Sequence, residues 1–130
     1  MVQIVFMNFQ VNPSGMTLSV TAERTVGDIQ KDFSEAYPYL RIEFYKRNGN
    51  ANEKIAQSSV LAAAGLDHNG QIEIDDSTTV GALEAAFRDN FGLKIQVARR
   101  SGILWLETTM TDKWTLKQQN DHGMELSQNI

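Results

Sequence analysis

Apolar positions follow two alternating periods along this chain, and the same succession of periods occurs twice. Val26, Ile29, Phe33 and Tyr37 fall on one stripe at helical spacing, as do Val80, Leu83, Phe87 and Phe91. Each stripe opens on Thr-Val-Gly, at Thr25-Val26-Gly27 and Thr79-Val80-Gly81. The Thr25 hydroxyl can cap a helix by accepting from the Asp28 N–H, and Asp28 and Asp32 lie near that helix's positive end. Pro38 stops the first helix and Gly92 the second. A period of two then takes over. Leu40, Ile42 and Phe44 alternate with Arg41, Glu43 and Tyr45, which predicts a half-buried strand with one wet face. Leu93, Ile95 and Val97 repeat that logic.

The match covers Thr17 to Gly49 against Gln71 to Gly102, with Tyr39 as one extra residue in the first copy. Strands precede each helix, Met16 to Thr21 and the segment with Ile72 and Ile74. Before the first copy, residues 2 to 9 read as a strand folded onto 16 to 21 through Asn12-Pro13-Ser14-Gly15, and Arg47-Asn48-Gly49-Asn50 reads as a turn. Ser101-Gly102 turns into Ile103 to Thr109, a hairpin partner for 93 to 99. The connector Ala51 to Gly70 holds a helical patch, Ser58 to Ala64, closed by Gly65. Asp112 can cap a short helix carrying Trp114, Leu116 and Lys117, which Asn120-Asp121-His122-Gly123 breaks, leaving 124 to 130 loose.

Two βαβ units in series predict an α+β domain: one mostly antiparallel sheet in the ferredoxin-like order, helices on one face, with extra N- and C-terminal strands. Residues 1–110 are expected to form this single domain and 111–130 a tail packed on it. A second parse starts from the hairpin opening Met1-Val2-Gln3-Ile4-Val5-Phe6, the helix start Thr25-Val26-Gly27-Asp28-Ile29, the strand Leu40 to Tyr45, the patch Val60 to Ala64 and the strand Gln71 to Asp75. In that succession residues 1–76 resemble the ubiquitin-like β-grasp family, which implies a β-grasp with a C-terminal βαββ extension. The chain ends Ser127-Gln128-Asn129-Ile130 and has no Gly-Gly tail, so conjugation is not implied.

Composition narrows the function classes. An apolar content of 42% supports a real core, and no apolar run approaches the ~18 residues of a membrane span. The first residues lack a signal peptide's basic region and cleavage site, so the chain reads as cytoplasmic. The absence of Cys removes disulfides, thiolate metal sites and Cys nucleophiles. A net charge of -4 argues against sequence-independent nucleic-acid binding, which rests on neutralised phosphates.

Chemistry-bearing constellations are sparse. His68 and His122 lie in Asp- and Gly-containing turns whose spacing requires no metal. Asp75 and Asp76 point to opposite sides of a strand end and cannot share a proton. Gly27 and Gly81 sit where a helix start could bind an anion, but the Lys and Ser/Thr of a phosphate loop are missing; they read as small residues that let the helix approach the preceding strand. No catalytic, cofactor or metal site is expected.

The surface candidates are Tyr45, Arg99, Arg100, Trp105, Glu107 and Trp114. The doublets Lys46-Arg47 and Arg99-Arg100 occupy equivalent positions and, in the ferredoxin-like order, opposite ends of the sheet, where they discourage edge aggregation. Trp105 shares a strand with Leu104 and Leu106, so either the tail with Trp114 folds over its face or that face serves association. The expected function is a non-catalytic protein-binding or assembly module using a sheet face or the edge strand 103 to 109, with a homodimer as one form. The alternative is a ligand or substrate pocket between sheet and tail around Trp105, Trp114 and His122. Because the connector 51 to 70 and the segment from Ile103 onward fall outside the matched copies, they are where function is sought.

Overall fold

The computed structural model describes residues 15–47 and 53–128. The expected strand 2 to 9, its hairpin turn and the turn at 48 to 50 lie outside the described residues. The elements are β1 (Gly15–Val20), α1 (Val26–Ala36), β2 (Leu40–Tyr45), α2 (Leu61–Ala64), β3 (Gly70–Asp75), α3 (Val80–Phe91), β4 (Lys94–Ser101), β5 (Leu104–Glu107), a single 3-10 turn at Thr109–Thr111, and α4 (Leu116–Gln128). The class is α+β with antiparallel pairing, as the periodicity predicts. Thr25 and Thr79 cap α1 and α3, and Gly92 closes α3 in the left-handed region at φ 69°. Both helical stripes are buried along their whole length.

Among the described residues the strands form two sheets where one was expected. β1 pairs with β3, and a second sheet runs β2-β4-β5, all antiparallel. The ferredoxin-like order would set the two repeat-final strands at opposite edges, whereas β2 and β4 are direct neighbours. Leu18 faces Ile72 in the first pair and Glu43 faces Gln96 in the second. Alternation sets which face a side chain takes but not which strand lies alongside, so the pattern alone could not decide the order.

What closes the two helix starts also differs from expectation. The first N–H groups of a helix have no partner within it. In α1, Val26 and Gly27 donate to the Ser59 and Gln57 carbonyls, both at 2.9 Å, and Leu61 donates back to the Arg24 carbonyl at 2.7 Å. In α3, Val80 and Gly81 donate to the Trp114 and Asp112 carbonyls at 3.0 and 2.8 Å, and Leu116 donates back to Thr78 at 2.8 Å. A Cβ on Gly27 or Gly81 would lie 3.3 Å from the Gln57 or Asp112 oxygen. These glycines therefore admit a later backbone segment, not the preceding strand, and that segment uses the N–H groups an anion would need. The connector and the C-terminal segment, which the sequence match leaves out, hold equivalent places.

The C-terminal helix is not broken at 120 to 123. Thr115, not Asp112, begins it: its hydroxyl accepts from Gln118 N–H while Gln118 Oε1 accepts from Thr115 N–H, a reciprocal cap. Leu116 joins the core and Gln119 is fully buried. Asn120 accepts from the Tyr39 N–H at 2.8 Å, and Gly123 is the point of closest approach, where a Cβ would lie 2.8 Å from Tyr39 Cβ. Tertiary contacts thus outweigh the weak helix propensity of Asn, Asp, His and Gly. The helix continues through Gln128, so the tail described here is not loose to that residue.

Candidate interaction surface on the three-stranded sheet

Cross-strand partners in an antiparallel pair share a face. On β2 and β4 one face therefore carries Leu40 with Arg99, Ile42 with Val97 and Phe44 with Ile95, all toward the core. The other carries Arg41 with Ala98 and Glu107, Glu43 with Gln96, Tyr45 with Lys94, and Arg100 with Trp105. Four of the six candidate residues, Tyr45, Arg100, Trp105 and Glu107, thus share the face turned away from the core.

Arg99 belongs to the opposite face, since adjacent strand residues point apart. There it lies beneath α4, donating from Nη1 to Gln119 Oε1 at 2.8 Å, while Gln119 Nε2 donates to the Thr111 carbonyl and hydroxyl at 2.9 and 2.7 Å. Trp114 lies elsewhere too. Its ring meets His122 edge-on at 5.6 Å, and its carbonyl serves the α3 start. The tail packs on the Arg99 face and leaves the Trp105 face uncovered.

That outward face is bound together by its own polar groups. The Tyr45 hydroxyl donates to Glu107 Oε2 at 2.6 Å, linking β2 to β5 across β4. Burial, and then this hydrogen bond, raises the Tyr45 pKa well above a free phenol. Glu43 accepts from Arg41 at 2.9 Å and from Gln30 of α1 at 3.3 Å, and lies 3.8 Å from Lys54. Tyr45 and Glu43 are therefore buried, not wet as expected. The Arg41 guanidinium sits 5.9 Å from the Trp105 ring centre in cation–π range. Trp105 also borders a cleft of about 320 Å³ with Gly27, Gln30, Arg41 and Gln57, which neither Trp114 nor His122 lines. Asp75 and Asp76 turn apart as expected, the first bonded to Ser77 and the second to the Tyr37 hydroxyl.

β5 is the exposed edge of this sheet. All four of its residues are solvent-accessible, with Leu104, Trp105 and Leu106 at 60, 37 and 43% exposure and the preceding Ile103 at 81%. Leu104 and Leu106 share the α4 side, and Trp105 the other, so both faces of the edge are apolar. Met110, just beyond, is 95% exposed.

A second edge feature was not legible from composition. Gln30 in α1 donates to the Ile42 carbonyl at 2.8 Å, next to the Phe44 carbonyl that Ile55 N–H takes up on the same edge of β2. Its counterpart in α3 is Glu84, whose carboxylate cannot donate and instead accepts from Val97 N–H at 3.3 Å. The matched helices carry the signal: one amide aligned with one acid. A cavity of about 390 Å³ opens there beside Arg47, Arg88, Lys94 and Ile95. Burial raises the Glu84 pKa, so its ionisation opposes folding. The cost is absent in acid and appears as pH rises from the unfolded toward the folded pKa. Glu84→Gln is expected to raise the melting temperature at neutral pH by a small amount, since water still reaches the group and screens its charge. The gain should shrink in acid; a lower melting temperature at neutral pH would refute it.

Compared with protein-family models, curated proteins and solved structures, the chain matches none.

Proposed function

We propose that this protein is a non-catalytic binding or assembly module that works through the β5 edge. The observation that carries the reading is the run Ile103 to Leu106, apolar on both faces and exposed on both. Edge strands offer unpaired backbone donors and acceptors, and folded proteins blunt them with charge, proline or cover. Here the only charged residue of β5, Glu107, is engaged by Tyr45. We read the chain as one unit written twice, whose first strands pair together and whose second strands pair together. Among the described residues β5 is an outer strand of the three-stranded sheet, paired with β4 on one side, and it is the strand whose residues are all exposed. Among the described residues no helix is long and apolar enough to cross a membrane, so a protein partner fits this surface better than a bilayer span.

The test is capture of partners by the purified chain against a Leu104→Lys, Leu106→Lys variant. Both positions are already exposed, so the variant should keep its melting temperature while losing the captured proteins. Equal capture by both chains would remove β5 from the function.

A further inference from the structure

The edge strand also indicates which partner fits it. The Thr108 N–H donates to the Val97 carbonyl at 3.1 Å, one step beyond the last β4–β5 pair. Hydrogen-bonding direction alternates along a strand. Leu104 and Leu106 therefore turn their backbone groups to β4, and Trp105 and Glu107 turn theirs outward. An added antiparallel strand would bond to the Trp105 backbone.

The sequence of β5 is complementary to itself about that residue. With a two-fold axis at Trp105, Trp105 faces Trp105 of a second copy and Leu104 faces Leu106. Ile103 then faces Glu107, so no like charges are opposed. An axis at Glu107 would set carboxylate against carboxylate, which is unfavourable in a cross-strand pair. On one side of the joined sheet four leucines would meet, and on the other two tryptophans, each beside its own Arg41.

We propose that the occupant of the β5 edge is a second copy of this chain, joined antiparallel about Trp105 to make one continuous six-stranded sheet, β2-β4-β5 with its symmetry mate. This rests on the assignment of β5 as the working surface and names its partner. Pairing by strand addition is a common route to two-fold assemblies, because one edge supplies both halves of the contact.

The chain has no cysteine, so an introduced one is unique. Facing positions not bonded through the backbone have Cα atoms ~4.5 Å apart, within disulfide reach, whereas the diagonal neighbours lie at ~7–8 Å, beyond it. Mixed Leu104→Cys and Leu106→Cys chains should crosslink to each other under mild oxidation, and each alone should not. Sedimentation of the intact chain at micromolar concentration should give twice the chain mass, falling to once in Leu104→Lys, Leu106→Lys with unchanged circular dichroism. A strict monomer overturns the second-copy assignment and leaves the edge reading to the capture experiment. A dimer indifferent to the lysine pair overturns both. Self-crosslinking by Leu106→Cys alone moves the axis and overturns the stated register.

Discussion

Ending the chain after Thr111 is expected to destabilise the protein by roughly 4 kcal/mol or more, against the ~5–15 kcal/mol typical of a whole domain. The cut removes Leu116 from the core, where it is fully buried. Loss of a buried leucine side chain alone costs about 2–5 kcal/mol. It also removes the Asp112 and Trp114 carbonyls that accept from the first N–H groups of α3, and the Gln119 oxygen that accepts from Arg99. Arg99, partly covered by α4, would lose that partner and be opened to water. Thermal melts followed by circular dichroism, with a dye that reports exposed apolar surface, are the measurement. An unchanged melting temperature with no new dye binding would mean that α4 covers nothing of consequence.

Phe87→Ala should come next, with an expected loss of about 3–5 kcal/mol. Phe87 is fully buried and meets Phe44 of β2 edge-on at 5.9 Å and Phe91 of its own helix at 5.6 Å. It therefore joins α3 to β2 within the core. Urea unfolding should show a lower midpoint with an unchanged slope, since the surface exposed on unfolding is nearly the same. A loss below about 1 kcal/mol would place the ring outside the close-packed core.

The sequence made the helices and strands legible because each carries its own period. Val26, Ile29, Phe33 and Tyr37 needed no knowledge of their neighbours, and neither did Thr25 or Gly92. What could not be read was mutual position. Nothing in the alternation of β2 says that β4 lies beside it, and nothing around Asn120 to Gly123 announces that Tyr39 will approach closely enough to favour a glycine. The candidate site was partly legible. Trp105, Glu107, Tyr45 and Arg100 were identified as surface residues and do share a face. Arg99 was misread as half of a basic doublet although its parity with Ile95 and Val97 already assigned it to the core side, a signal present in the strand itself. Trp114 misleads because a tryptophan beyond the last strand suggests a lid, whereas this one serves a helix start through its carbonyl and meets His122 edge-on.

The way α1 and α3 begin has a bearing on how the chain is made. The groups that close the first turn of α1 are Gln57 and Ser59, and those that close α3 are Asp112 and Trp114. Each helix is thus completed by residues that leave the ribosome only after its own following strand has been synthesised. A nascent chain halted between a helix and its later clasp would carry the apolar stripe but lack the clasp. Translation order alone therefore forbids either half from maturing early, and ties the finishing of each helix to the arrival of the segment beyond it.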